Sequence, residues 1–317
     1  MKGELFAIAF IAVGCRPDSG LIDPRVSFAS MRYSDWSEPV NLGPGVNTAF
    51  NDQQPALSKD GLTLYFGSNR PGTPGAGPND IWISQRVCRD CPWDTPVNLG
   101  APINTEFNDA SPALSRDSHW LYFLSNRPGG MGSSDIWAAW RADVHDDFAW
   151  EAPLNLGAGV NRTGFEGGPS FFENEDGTGA ELYFNRNPAP VQGGGDIYVS
   201  TQAADGSFGT AVAVAELNSP ASDQRPAISS NGLEIYFFSD RPGSAAADIW
   251  WATRTAVGDP WSTPVNLGGS INTAASEFHP FIYSHGATQQ LFFARNVATP
   301  PAMNLDLFVS MRTREKP

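Results

Sequence analysis

Leu64-Tyr65-Phe66-Gly67-Ser68-Asn69-Arg70-Pro71-Gly72, with Asn79-Asp80-Ile81-Trp82 shortly after it, decides the fold, because the pattern returns four more times along the chain. The apolar run reappears as Leu121-Tyr122-Phe123, Leu182-Tyr183-Phe184, Ile235-Tyr236-Phe237 and Leu291-Phe292-Phe293. Each copy opens on an aromatic residue, Trp36, Trp93, Trp150, Phe208 or Trp261, so the period is 53 to 58 residues, which marks a repeat architecture. Other landmarks keep the same phase. Pro-Val-Asn-Leu-Gly stands at 39–43, 96–100 and 264–268, with Pro-Leu-Asn-Leu-Gly at 153–157. An Asn follows at 47, 104, 161, 218 and 272, a Pro at 55, 112, 169, 226 and 280, and an Asp at 80, 135, 196, 248 and 306.

Every apolar run in a copy is short, aromatic or β-branched, and bounded by Gly, Pro, Asn or Asp, which reads as strand rather than helix. Four short strands per copy make one propeller blade, and five copies make five blades. Strands B and C, at Leu-Tyr-Phe and Asp-Ile-Trp, are apolar on consecutive positions, as expected when stacking buries both faces of a sheet. A linear solenoid would need atypical polar caps at its ends. Here the chain opens with a D strand at 39–43 that lacks its own A, B and C, and closes with a C strand at 306–312 that lacks its D. The fragments are complementary, so the expected fold is an all-β, five-bladed β-propeller of four-stranded antiparallel blades, closed by the N- and C-terminal strands. The alternative is a six-bladed ring, because Val26–Arg32 repeats the text of Asp306–Arg312.

Composition narrows the function classes. The 317 residues carry 20 Lys and Arg against 34 Asp and Glu, a formal charge of −14, which repels nucleic acid and anionic lipid surfaces. Lys2 precedes an apolar run from Leu5 to Val13, too short to span a bilayer and in keeping with a secretory signal. Ala12-Val13-Gly14-Cys15 resembles the lipobox of bacterial lipoproteins, which implies lipidation at Cys15 and, with Arg16 after it, an outer-membrane address. The domains expected are a signal at 1–15, a tether at 16–24 and the propeller at 25–317. Cys88 and Cys91 lie in an insertion between strands C and D of the first blade. Without a helix to lower a thiol pKa or further ligands for a metal, a local disulfide outside the cytoplasm is expected. No cofactor or metal site is expected.

With Pro55 to Gly61, Leu64 to Gly72 and Asn79 to Trp82 as its clearest copy, the repeat resembles the WD40-like, TolB-type propeller repeat of bacterial envelope proteins over roughly residues 25 to 317. The resemblance implies an exported propeller, bound to the envelope or lying in the periplasm or at the cell surface.

Polar residues of equal phase gather at one face of such a ring, where the D-to-A and B-to-C connections emerge. They are Asp52, Asp109, Glu166, Asp223 and Glu277 with Arg70, Arg127, Arg186, Arg241 and Arg295. They support two readings: arginines tying loops to carboxylates, or a polar ligand face on loops held by a rigid scaffold. Arg225 and His279 join the candidate ligand face because other copies do not fill their positions alike. The strand-C aromatics Trp82, Trp137, Tyr198, Trp250 and Phe308 are expected in the core between blades. No Gly-x-Ser-x-Gly, His-Glu-x-x-His or phosphate-loop motif occurs, and no catalytic residue is assigned. The expectation is therefore a non-enzymatic, monomeric binding platform for an envelope protein or cell-wall glycan. The alternative is a carbohydrate-active enzyme or small-ligand sensor using channel carboxylates.

Overall fold

The computed structural model describes residues 33–72, 77–174, 179–187, 194–299 and 302–315, and among them there are twenty strands and no helix. They form five sheets of four antiparallel strands each. Blade 1 runs Asp52–Leu57, Thr63–Ser68, Asp80–Gln85 and Val97–Asn98, and blade 2 runs Asp109–Leu114, Trp120–Ser125, Asp135–Trp140 and Leu154–Asn155. Blade 3 is Phe165–Glu173, Ala180–Asn187, Asp196–Gln202 and Val212–Ala213, and blade 4 is Asp223–Ile228, Glu234–Ser239, Asp248–Thr253 and Val265–Asn266. Blade 5 takes Glu277–His285, Thr288–Asn296 and Leu305–Thr313 from the end of the chain and Val40–Asn41 from its beginning. Val40 pairs with Val309 and Asn41 with Phe308, so the ring is a five-bladed β-propeller closed as the two end fragments require. Cys15, the tether and the strand-like segment 26–32 lie outside the described residues.

Strand A begins three residues before the Pro-Ala-Leu-Ser text that announced it. In each blade its ladder to strand B skips two residues, as between Gln53 and Ala56 or Ala110 and Ala113, and the second skipped residue is the recurring proline. A proline carries no N–H to leave unpaired at such a bulge. The skipped partner before it takes a left-handed backbone, with φ of 59° at Gln54, 58° at Ser111, 59° at Gly168, 55° at Arg225 and 53° at His279.

The buried apolar residues form five clusters between neighbouring blades. Tyr65, Ile81, Ile83, Leu121, Phe123 and Trp137 belong to one, and Ile235, Phe237, Trp250 and Trp261 to another. The aromatic that opens each copy has a specific job there. Trp93, Trp150, Trp261 and Trp36 lie against the guanidinium groups of Arg86, Arg141, Arg254 and Arg312, at 4.1, 4.4, 4.5 and 4.5 Å from ring centre. These arginines end strand C, and their stacking fixes the entry of the following D strand.

Candidate functional site

The five acids and five arginines meet within blades, not at an open surface. Each acid is the first residue of strand A, or the second in blade 3, is fully buried, and pairs with the arginine near the end of strand B or just after it. Arg127–Asp109, Arg186–Glu166 and Arg295–Glu277 are 2.8, 2.7 and 2.8 Å apart, and Arg70–Asp52 and Arg241–Asp223 pair likewise. Each guanidinium also donates to the carbonyl of Val46, Ile103, Val160, Leu217 or Ile271. It covers a strand-B phenylalanine and a strand-C aromatic, as Arg127 does with Phe123 and Trp137 at 5.0 and 5.4 Å. The ten residues are therefore ties that hold the D-to-A loop onto its blade. Burial is the first cause that raises the carboxyl pKa of Glu166 and of Glu277, against the lowering effect of their arginines.

The recurring Asn and Asp residues are consumed by the same framework. Asn98, Asn155, Asn266 and Asn41 donate to Asp80, Asp135, Asp248 and Asp306 at 2.7 to 2.8 Å. Asn104 binds both the N–H and the C=O of Ile81. Cys88 and Cys91 are joined, with Cα atoms 5.0 Å apart.

Arg225 and His279, by contrast, reach the ring axis. Together with Gln54, Ser111 and Gly168 and the five prolines beside them they line a cavity of about 30 Å³. No carboxylate lines it. Asp52, Asp109, Glu166, Asp223 and Glu277 do not line this cavity.

Space for a larger ligand lies at the opposite end of the ring, among the A-to-B turns. A funnel of about 330 Å³ is ringed by the strand-A residues two positions after the recurring proline, Leu57, Leu114, Phe171, Ile228 and Ile282, one from each blade. Phe172, Phe281 and Tyr283 add aromatic surface, and Lys59, Glu173 and His285 add charge or hydrogen-bonding groups. A second cavity of about 680 Å³ shares Ser58 and Lys59 with the funnel and carries Asp60, Asp94, Asp117, His145 and Asp147. Asp60 and Asp117 cap their turns, accepting from Ser58 and Leu62 and from Ser115 and His119. Asp147 is tied to Arg141 at 2.6 Å and to Tyr65. The side-chain carboxylates of Glu173 and Asp94 have no hydrogen-bond or ion-pair partner among the described residues, although the Asp94 backbone bonds Gln85 and Ser84, which leaves both carboxylates open to a ligand. An apolar, aromatic concavity with a few polar groups is the usual form of a small-molecule site. Of the funnel residues, His285 and the run Phe171-Phe172-Glu173 of copy three stand out in the sequence as departures from the repeat.

Neither a family model nor a curated protein matches the sequence. Solved structures do match. A thermostable family-43 glycoside hydrolase superposes with a TM-score of 0.60 at 13% identity, covering 88% of this chain and 96% of that one. The catalytic domain of the Coprinopsis cinerea GH62 α-L-arabinofuranosidase gives 0.58 at 13%, over 90% and 98%. The Bacillus subtilis arabinanase gives 0.54 at 14%, over 85% and 96%. These likenesses show the fold. They correct the TolB-type resemblance, because the neighbours are five-bladed glycoside hydrolase propellers and not WD40-like repeat proteins. The repeat text misled because its Asp-Gly and Arg-Pro-Gly signatures report tight turns in a four-stranded blade, which unrelated propellers share. The same finding overturns the expectation of a non-enzymatic binding platform and favours the carbohydrate-active alternative.

Proposed function

We propose that this chain is a carbohydrate-active enzyme that acts on glycosidic bonds, with its site at the funnel. One observation carries the reading: nearly the whole ring superposes on propellers that are glycoside hydrolases. The funnel supports it, since the flat faces of Phe171, Phe281 and Tyr283 suit the apolar faces of sugar rings and the adjoining cavity extends the groove for a longer glycan. Glycosidic hydrolysis needs a carboxylic acid to protonate the leaving oxygen and a second carboxylate roughly 5 to 10 Å away to act as nucleophile or base. We assign the proton donor to Glu173 and seek the second carboxylate among Asp60, Asp94 and Asp117. Screening the purified chain on arabinan, xylan and peptidoglycan-derived glycans should reveal release of reducing sugar. Glu173→Gln should lower that rate by about 100-fold or more while leaving the melting temperature unchanged. Wild-type protein that neither binds nor cleaves any glycan would end the proposal.

The same reading places the protein outside the cytoplasm. The bonded Cys88 and Cys91 support an oxidising compartment, and lipidation at Cys15 would hold the ring at a membrane surface. Cys15→Ser should shift the protein from the membrane to the soluble fraction; unchanged partitioning would refute the anchor.

A further inference from the structure

The cavity on the ring axis has the composition of an anion site. Four side chains converge on it from four blades: Gln54, Ser111, Arg225 and His279. Gln54 Oε1 accepts from Ser111 N at 2.9 Å, which fixes the amide and leaves its two N–H groups as donors. Arg225 crosses from blade 4 to donate to Ser111 Oγ in blade 2, which leaves the hydroxyl proton of Ser111 for another acceptor. Its path runs over Gly168, where a Cβ would collide with Arg225 Cδ; the glycine of blade 3 is the space that the arginine occupies. His279 contributes a ring whose Nδ1 is buried without a partner.

Nothing in this set carries negative charge. The acids two residues before Arg225 and His279 are Asp223 and Glu277, which are held by Arg241 and Arg295. Arg70, Arg127, Arg141, Arg186, Arg241, Arg254, Arg295 and Arg312 each have a carboxylate partner, whereas Arg225 has none among the described residues. A buried charge without a counterion is strongly unfavourable. Burial alone brings the pKa of Arg225 down to about 10, so it remains charged at neutral pH, whereas burial first and Arg225 second push His279 well below the ordinary histidine value.

We propose that the axial cavity binds one small monovalent anion of the halide class, chloride in physiological media, held by Arg225, His279, Gln54 and Ser111. Size and charge select the class. A cavity of about 30 Å³ is large enough for a monatomic anion, since a single water needs on the order of 10 to 15 Å³, and the single cation Arg225 matches one negative charge. The bound ion supplies the missing counter-charge and links four blades at the axis. This inference does not rest on the glycan reading, since the funnel and the axial cavity share no lining residue.

The test uses the purified full chain at constant ionic strength, with sodium chloride or bromide replaced stepwise by sodium gluconate, whose anion is too large to enter. The melting temperature should rise with halide concentration and stay flat in gluconate. Crystals soaked in bromide should show an anomalous peak within hydrogen-bond distance of the Arg225 guanidinium. Arg225→Gln should abolish the halide dependence. Should that variant fail to fold, Ser111→Ala removes one neutral donor and should weaken the apparent halide affinity about tenfold. Melting that ignores the anion's identity, an axial cavity without an anomalous peak, or a halide effect undiminished in both variants would overturn the proposal.

Discussion

Asp109 accepts hydrogen bonds from Thr105 N, Thr105 Oγ1, Ser125 Oγ and Arg127 Nη2 at 2.7, 2.5, 2.6 and 2.8 Å, and its four partners explain why such a residue repeats five times. Asp109→Ala should destabilise the protein by about 3 to 5 kcal/mol, because it leaves the Arg127 charge buried and alone; urea unfolding would measure it, and a loss below 1 kcal/mol would mean that the pair behaves as a surface bridge. The choice between Asp and Glu follows from the ladder. In blades 1, 2 and 4 the acid faces a serine, Ser68, Ser125 or Ser239, and the arginine comes two residues later. In blades 3 and 5 the arginine itself faces the acid, Glu166 against Arg186 and Glu277 against Arg295, and the longer carboxylate meets it. The period of these residues was plain in the sequence, but their burial was not: the same spacing serves an exposed polar ring and an internal tie. Arg225 and His279 were legible as departures from the repeat, although nothing in the text showed that both approach one axis. Glu173 lies in the stretch 171–177 where copy three departs most from the repeat, but an acidic run there reads first as a solvated turn, so its place in a funnel was not legible.

Strands B and C were readable because their middle positions are apolar in succession, as in Leu64-Tyr65-Phe66 and Ile81-Trp82-Ile83, and the ring buries both faces. Strand A was read three residues short, since the bulge at Gln54 and Pro55 interrupts the pattern before the proline. Trp137 is the clearest probe of an element's packing. It is nearly buried, sits in the cluster between blades 1 and 2 and lies under Arg127. Trp137→Ala should cost about 3 to 5 kcal/mol, and an unchanged melting temperature would show that the blades do not depend on this contact. The disulfide tests the opposite case. Cys88 and Cys91 close a loop so short that its removal should cost no more than about 2 kcal/mol, and a Cys88→Ser, Cys91→Ser double variant should keep the fold. Collapse of that variant would require the C-to-D insertion to be part of the core.

The number of blades follows from the period and from two end fragments that complete each other, and both were in the text. The funnel was not, because Leu57, Leu114, Phe171, Ile228 and Ile282 read as ordinary strand interior and become the wall of a cavity only when five blades close around it. Acidity is also a property of the whole ring. Burial is the leading cause that raises the carboxyl pKa of Asp80, Glu166, Asp196, Glu277 and Asp306. Between the ordinary carboxylate value and the raised one the folded chain binds more protons than the unfolded chain, so stability falls as pH rises through that window. His279, held below its ordinary value, acts in the opposite sense as pH falls below about 6.5. The carboxyl effect is therefore read in a His279→Gln variant, whose melting temperature should be higher near pH 5 than at pH 7.5; a monotonic rise toward neutral pH in that variant would contradict it. The pairing of Val40 with Val309 has a temporal meaning as well. At roughly 5 to 20 residues per second of synthesis, the first strand waits on the order of fifteen seconds to a minute for its neighbour to be made. Until then blade 5 lacks the strand that completes it, and the circle cannot lock before the last strand has been made.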